Sequence, residues 1–298
     1  MPQLDAIKKT RTQDGEAIIL CASVRDLLGA AMKRLNAGPA AAIHLGQALL
    51  AGALVKGLPD TATETRLELQ WKLNGPLGNM YVDAWSEGRL RGALINAEAP
   101  LTALKGSLGS GFFQVQRMGK NTVTGIVQSV GDVVVDVLEY LDKSEQKSCA
   151  MNLWVDLDVR EESGQAPELY VRNAVGYLIH VLPQSQESRT LELLYNWDQH
   201  LRSLGPLSQW VLGDDTIHNC LSCISGEFSP KIYALDSLVE HCTCSEDRAA
   251  RALLFAKAQS DFRESLGGSF GDSGIVETAK PAETIRCEFC GSLYTLPG

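Results

Sequence analysis

The sequence predicts an α+β protein in three parts. These are an N-terminal α/β domain with a large mixed sheet and packed helices (residues 1–183), a helical linker (184–235) and a small C-terminal domain built on four cysteines (236–298). Three observations carry this reading. Strand-like and helix-like runs in the first 183 residues are segregated rather than regularly alternating, which favours α+β over a doubly wound sheet. A polar stretch, QSQESRT (184–190), breaks the pattern and leads into an amphipathic segment. Six of the eight cysteines fall after residue 219.

Residues 16–22 (EAIILCA) read as a buried strand, with Cys21 a small hydrophobe in the core. Helices are expected at 24–35 and 39–55, separated by the breaker Asn36-Ala37-Gly38. At 65–73, Leu67, Leu69, Trp71 and Leu73 alternate with polar residues, the signature of a half-buried strand. Asn74-Gly75-Pro76 is a turn, and 80–85 and 89–95 form a hairpin across Ser86-Glu87-Gly88. Strands at 112–116 and 123–130 precede a helix at 133–141 that presents Val134, Val137, Leu138 and Leu141 on one side. Strands at 152–158 and 168–181 end the domain.

The segment 191–211 is amphipathic at helical spacing through Leu191, Leu194, Trp197, Leu201 and Leu204. Periodicity allows two readings: a helix docked on its own domain, or a metastable linker that releases its apolar face. Farther on, 245–262 reads as a helix N-capped by Ser245, with Glu246 and Asp247 in its first turn and a stripe of Ala250, Leu253, Leu254 and Ala258. The Gly/Ser/Pro-rich stretch 265–284 reads as a loop, and 286–296 as a turn and short strand.

Composition narrows the function. The 298 residues carry a net charge of −9 and a pI near 5.1, with no Lys/Arg run, so nucleic acid is not an expected partner. The N-terminus lacks an apolar signal core, and the longest apolar run, 40–55, is short for a bilayer and carries His44 and Gln47. It is expected as a buried helix with His44 structural, in a soluble, cytosolic protein without a membrane partner. No nucleotide-binding loop, dinucleotide fingerprint or nucleophile elbow is present, and no enzymatic activity is expected.

The cysteines carry the chemistry. They form Cys220-x-x-Cys223, Cys242-x-Cys244 and Cys287-x-x-Cys290. Close pairs let one turn aim two sulfurs at one ion, so Cys242, Cys244, Cys287 and Cys290 are the expected ligands of one Zn2+. Gly291 is expected to let backbone N–H groups turn toward the bound sulfur. A tetrad of Cys220, Cys223, Cys242 and Cys244 is also allowed by spacing. So few residues seldom fold by burial alone, and zinc on four thiolates contributes on the order of 10–16 kcal/mol in small peptides. The same thiolates are oxidisable, and loss of either pair would remove two ligands. Spacing does not choose between a purely structural site and a sensor.

At these residues the sequence resembles the 33 kDa chaperonins, a family of redox-regulated heat-shock chaperones. The resemblance is carried by His241-Cys-Thr-Cys-Ser245 and Cys287-Glu-Phe-Cys-Gly-Ser-Leu-Tyr294. It extends to 74–84 (NGPLGNMYVDA), 124–127 (TGIV) and 139–146 (EYLDKSEQ). It implies an ATP-independent holdase that is inactive when reduced and zinc-bound. It further implies that oxidation forms Cys242–Cys244 and Cys287–Cys290 disulfides, releases zinc and unfolds tail and linker. The activated form is then a homodimer that holds unfolded client proteins. The linker reading of Leu191, Leu194, Trp197, Leu201 and Leu204 follows from the same resemblance, as a client surface. Two features depart from the pattern: 42 residues separate Cys244 from Cys287, and Cys220 and Cys223 are extra thiols of unassigned role. The competing reading is a zinc-ribbon recruitment module without a switch.

Overall fold

The computed structural model describes residues 5–12, 14–61, 65–161, 164, 166–184, 187–210, 215–226, 231–252, 254, 283–287 and 289–296. The chain divides into two compact units, Met1–His241 and Cys242–Gly298.

Unit 1 contains β1 (Ala6–Arg11), β2 (Ala17–Ser23), α1 (Arg25–Leu35), α2 (Pro39–Lys56), β3 (Arg66–Leu73), β4 (Met80–Trp85), β5 (Arg89–Leu94), β6 (Gly111–Met118) and β7 (Thr122–Ser129). It continues through α3 (Val133–Lys143), β8 (Ser148–Arg160), β9 (Glu168–Val181), α4 (Glu187–Ser203), α5 (Thr216–Ser225), β10 (Lys231–Ser237) and β11 (Val239–Glu240). The strands form two sheets, ordered β10-β1-β2-β9-β8 and β11-β5-β4-β3-β6-β7. The first is antiparallel throughout, and the second is mixed because β11 runs parallel to β5. The α+β class and the elements from β2 to β9 follow the sequence expectation. The strand β1, the helix α5 and the strands β10 and β11 do not announce themselves in the sequence. Lys8-Lys9 interrupts the apolar signal of β1, and β11 is two residues long, too short for a period.

The helix α2 is apolar on every side because it is enclosed on every side. By length and composition it could cross a membrane, yet it packs between the two sheets. A Cβ at Gly46 would meet Val155 of β8 at 2.8 Å, and one at Gly52 would meet Val82 of β4 at 2.6 Å. His44 sits in this core with Nε2 2.8 Å from Ser107 Oγ, the structural role expected of it. Trp71 is fully buried beside Phe113, ring centroids 4.4 Å apart, and its indole N–H donates to buried Asp136 at 3.2 Å.

All seven residues of β2 are buried, because the strand is covered on both faces. Ile18, Leu20 and Ala22 face the main core with α2. Ala17, Ile19 and Cys21 face a second apolar cluster with Val175, Tyr177, Ile179 and Val181 of β9. The helices α4 and α5 cover that second face through Leu193, Trp197, Ile217, Cys220, Leu221 and Ile224. Polar ties reinforce the cover. Arg189 pairs with Glu16 at 2.8 Å, and the Trp210 indole donates to the Leu204 carbonyl at 2.7 Å.

Unit 2 has little regular structure among its described residues. Residues 246–252 form α6, N-capped by Ser245 Oγ accepting from the Arg248 amide at 3.3 Å. Glu283–Arg286 (β12) and Leu293–Leu296 (β13) form an antiparallel hairpin. The expected loop therefore ends two residues early, as Glu283 and Thr284 pair with Leu296 and Thr295. Leu253, Ala258 and half of the expected 245–262 helix lie outside the described residues, as does the loop up to residue 282.

Candidate metal centre

The four-cysteine centre grows from two turns. The edge strand β11 holds the chain on β5 as far as His241, whose amide donates to the Leu90 carbonyl at 3.0 Å. The His241 ring meets Trp85 edge-on at 5.0 Å, so this histidine packs in unit 1. Cys242 and Cys244 follow, two residues apart in a segment without regular structure, ahead of the Ser245 cap.

The second turn closes the β12–β13 hairpin. The Cys287 amide donates to the Ser292 carbonyl at 2.8 Å, and the Gly291 amide donates to the Cys287 carbonyl at 2.8 Å. Gly291 sits at φ +73°, a conformation a Cβ would strain. Its own N–H thus closes the turn rather than facing a sulfur. The amides directed at Cys287 sulfur are those of Cys290 and Phe289, and they offset part of the upward push of burial on this thiol.

The four Sγ atoms lie within 4.8 Å of one another. Across the two segments Cys242 lies 3.7 Å from Cys287 and Cys244 3.1 Å from Cys290. Tetrahedral zinc with Zn–S bonds of about 2.3 Å places its ligand sulfurs about 3.8 Å apart. The donor set is four soft sulfurs at close to that spacing, and it can hold a metal ion.

Neighbouring groups split the thiols. Against the raising effect of burial, hydrogen bonds from Ser292 and contact with Cys244 and Cys287 bring Cys290 down to about 6. The Tyr294 hydroxyl donates to Cys244 Sγ at 3.0 Å and favours its thiolate. Burial and the sulfurs of Cys290 and Cys242 nevertheless outweigh it and push Cys244 up to about 12. One thiol ionises easily, and its negative charge discourages the next. Tyr294 and Ser292 had no role in the sequence reading. Tyr294 faces the centre because it lies opposite Ile285 in the hairpin, a register no local pattern displays.

The remaining candidates fall elsewhere. Cys220 and Cys223 lie on α5 in unit 1, and the four-cysteine cluster is made of Cys242, Cys244, Cys287 and Cys290. Along α4, Trp197 is buried, while Leu194, Leu201 and Leu204 are partly buried against the second cluster. Leu191 is 61% exposed, and Leu193 is the buried residue of that turn. Helical geometry explains the exchange: relative to Trp197, Leu193 is about 40° around the helix and Leu191 about 120°.

Comparison with known proteins agrees with this architecture. The family model described as Hsp33 protein matches residues 5–297. A 33 kDa chaperonin of Desulfotalea psychrophila is 27% identical, over 99% of this chain and 95% of the relative. One from Lactobacillus delbrueckii subsp. bulgaricus is 30% identical, over 93% and 89%. The crystal structure of the 33 kDa chaperonin of Thermotoga maritima superposes with a TM-score of 0.75 at 21% identity, covering 99% of this chain and 95% of that one, which speaks for the fold. Matched along nearly its whole length and carrying four clustered cysteines, the chain belongs to the Hsp33 family of chaperones.

Proposed function

We propose that the protein is a redox-regulated, ATP-independent holdase that binds unfolding proteins under oxidative stress in the cytoplasm. The observation that carries this reading is the placement of four thiols within 4.8 Å in a unit whose described residues bury almost no apolar side chain. Among its described residues only Ala249 is buried. Cys242, Cys244, Cys287 and Cys290 would hold one Zn2+ in the reduced state. Bound there, zinc would keep the sulfurs as thiolates and tie residues 242–244 to 287–290, in place of a hydrophobic core.

Oxidation acts on the sulfurs. Closing Cys242–Cys244 and Cys287–Cys290 removes two electrons per pair, and each equivalent of peroxide leaves as two waters. All four donors are withdrawn, and nothing in the described part of unit 2 replaces the hold they gave. Residues 184–235 act as the linker between a chaperone core (1–183) and the switch (236–298). Freed, α4 and α5 would bare their own apolar faces and the outer face of the five-stranded sheet, where Ile19, Val175, Tyr177 and Ile179 lie. A contiguous apolar surface of that kind recruits unfolded chains and a second activated copy.

The test follows zinc, thiols and holding together. Reduced protein should carry one zinc and leave aggregation of a denatured client unchanged. Hydrogen peroxide with mild heating should release zinc, oxidise four thiols and suppress aggregation without ATP. Equal holding before and after oxidation would leave the zinc-ribbon reading and sink this one.

A further inference from the structure

The helix α5 carries two cysteines that the metal centre does not use. Cys220 is fully buried, and its Sγ lies 3.4 Å from Sγ of Cys21 on β2, 199 positions away in sequence. Both sit in the second apolar cluster, where α4 and α5 cover the five-stranded sheet. Cys223 follows one turn later on the same helix and is only partly buried. Residues three apart on a helix are neighbours; burial, and then the nearby Cys220, push the Cys223 thiol up, so its claim as the entry point rests on its being the more exposed of the two. Burial and contact with Cys220 push the Cys21 thiol well up, so it does not meet outside reagents as a thiolate while α5 is docked.

Two thiols in contact have a chemistry neither has alone. We propose that Cys21 and Cys220 are a second redox pair, separate from the four-cysteine centre, whose disulfide staples α5 to β2, with Cys223 as the oxidant's point of entry. The oxidant is a peroxide. Cys223 sulfur attacks it, an S–O bond forms as the O–O bond breaks, and one water leaves, giving the sulfenic acid. Cys220 sulfur displaces the hydroxyl, which leaves with the thiol proton as the second water, and Cys220–Cys223 forms. Cys21 sulfur then attacks Cys220, the Cys220–Cys223 bond breaks, and Cys223 takes up the proton Cys21 gives up. In sum, two thiols lose two protons and two electrons, and one peroxide becomes two waters. With the sulfurs already 3.4 Å apart, closing to a bonded pair of about 2.05 Å needs no new neighbour.

The regulatory meaning rests on the holdase reading. There, oxidation at the metal centre frees α4 and α5. The staple works in the opposite sense, because it keeps α5 on the sheet after its surroundings loosen. It limits how much of the apolar face is bared.

The experiment uses full-length protein, reduced and then treated with hydrogen peroxide. Remaining thiols are trapped by alkylation under denaturing conditions, and the digest is mapped without reductant. Expected is a monomeric species in which the Cys21 peptide is linked to the Cys220 peptide. The link should be lost with dithiothreitol, absent in Cys220→Ala, and several-fold slower to form in Cys223→Ala with an unchanged reduced fold. Cleavage within residues 215–219 of the oxidised protein, between the two bonded cysteines, should give fragments that separate under denaturing conditions only after reduction. Alkylated Cys21 after all four metal-centre thiols have oxidised would overturn the proposal. So would oxidation that stops at Cys220–Cys223, and an unchanged rate in Cys223→Ala would overturn the entry role. Should the linked peptide form in a protein that binds no zinc, the staple stands and the holdase reading falls.

Discussion

The two units hold together by different means. In unit 1 the strand β2 is buried on both faces, α2 is enclosed between two sheets, and Trp71 is inaccessible. Many apolar contacts share the stability, and no single one is indispensable. In unit 2 the described residues amount to a short helix, a four-residue-per-strand hairpin and four sulfurs, with one buried alanine. On the proposed reading the fold there depends on one cluster. A core fails by degrees, whereas a chelate of the proposed kind would fail at once when a ligand is withdrawn, which is what a switch needs.

The sharpest way to break this contrast is to remove the cluster. Cys287→Ser, or chelation of the metal, should leave residues 242–298 unfolded by protease digestion and amide exchange, with unit 1 protected. The energy at stake is on the order of 10–16 kcal/mol in comparable zinc peptides. Persistent protection of the hairpin would show that burial carries unit 2 after all.

Disulfide mapping sharpens the same point. In the folded centre Cys242 approaches Cys287 and Cys244 approaches Cys290 across the two segments. Oxidation that releases the unit should instead yield Cys242–Cys244 and Cys287–Cys290. Crosswise bonds would tie the turns together and leave the unit closed.

Within unit 1, Trp71→Ala should cost about 3–5 kcal/mol in urea denaturation, through a cavity and the lost indole bond to Asp136. It should leave zinc content unchanged. On α4, Trp197→Ala should cost less, because only the cover is weakened, and should lower the temperature at which oxidised protein holds a client. Leu191→Ser should stay within about 0.5 kcal/mol of the parent, since that side chain is already in water.

The smallest effects come from two carboxylates of unit 1. Burial pushes Asp5 up to about 6, even though it caps α1 through the Leu27 and Asp26 amides. Folding therefore favours its protonated form, and this contribution grows as pH falls from above 6 toward the ordinary value of 3.8. Glu145 has the opposite sign. Against burial, hydrogen bonds from Arg117, Lys147 and Tyr140 hold it at about 2, below its usual 4.5. Its contribution is present above pH 4.5 and is lost as pH falls toward 2. The urea midpoint should thus hold or rise slightly from pH 7 to 5 and fall below about 4.5. Asp5→Asn should flatten the upper part of that profile.

The sequence by itself determined what local pattern can encode. Alternation of Leu67, Leu69, Trp71 and Leu73 marked β3, the apolar run at 40–55 marked the enclosed helix, and paired spacing marked six cysteines, of which the family resemblance chose the four that cluster. These signals are short-range, since a strand or a chelating turn is specified within a few residues. Tertiary structure alone decided which residues meet across long separations. It replaced Leu191 by Leu193 on the buried side of α4, turned Tyr294 toward Cys244, and set Cys21 against Cys220. Each of those contacts depends on the register of one element against another, and register is fixed by the packing of the whole unit.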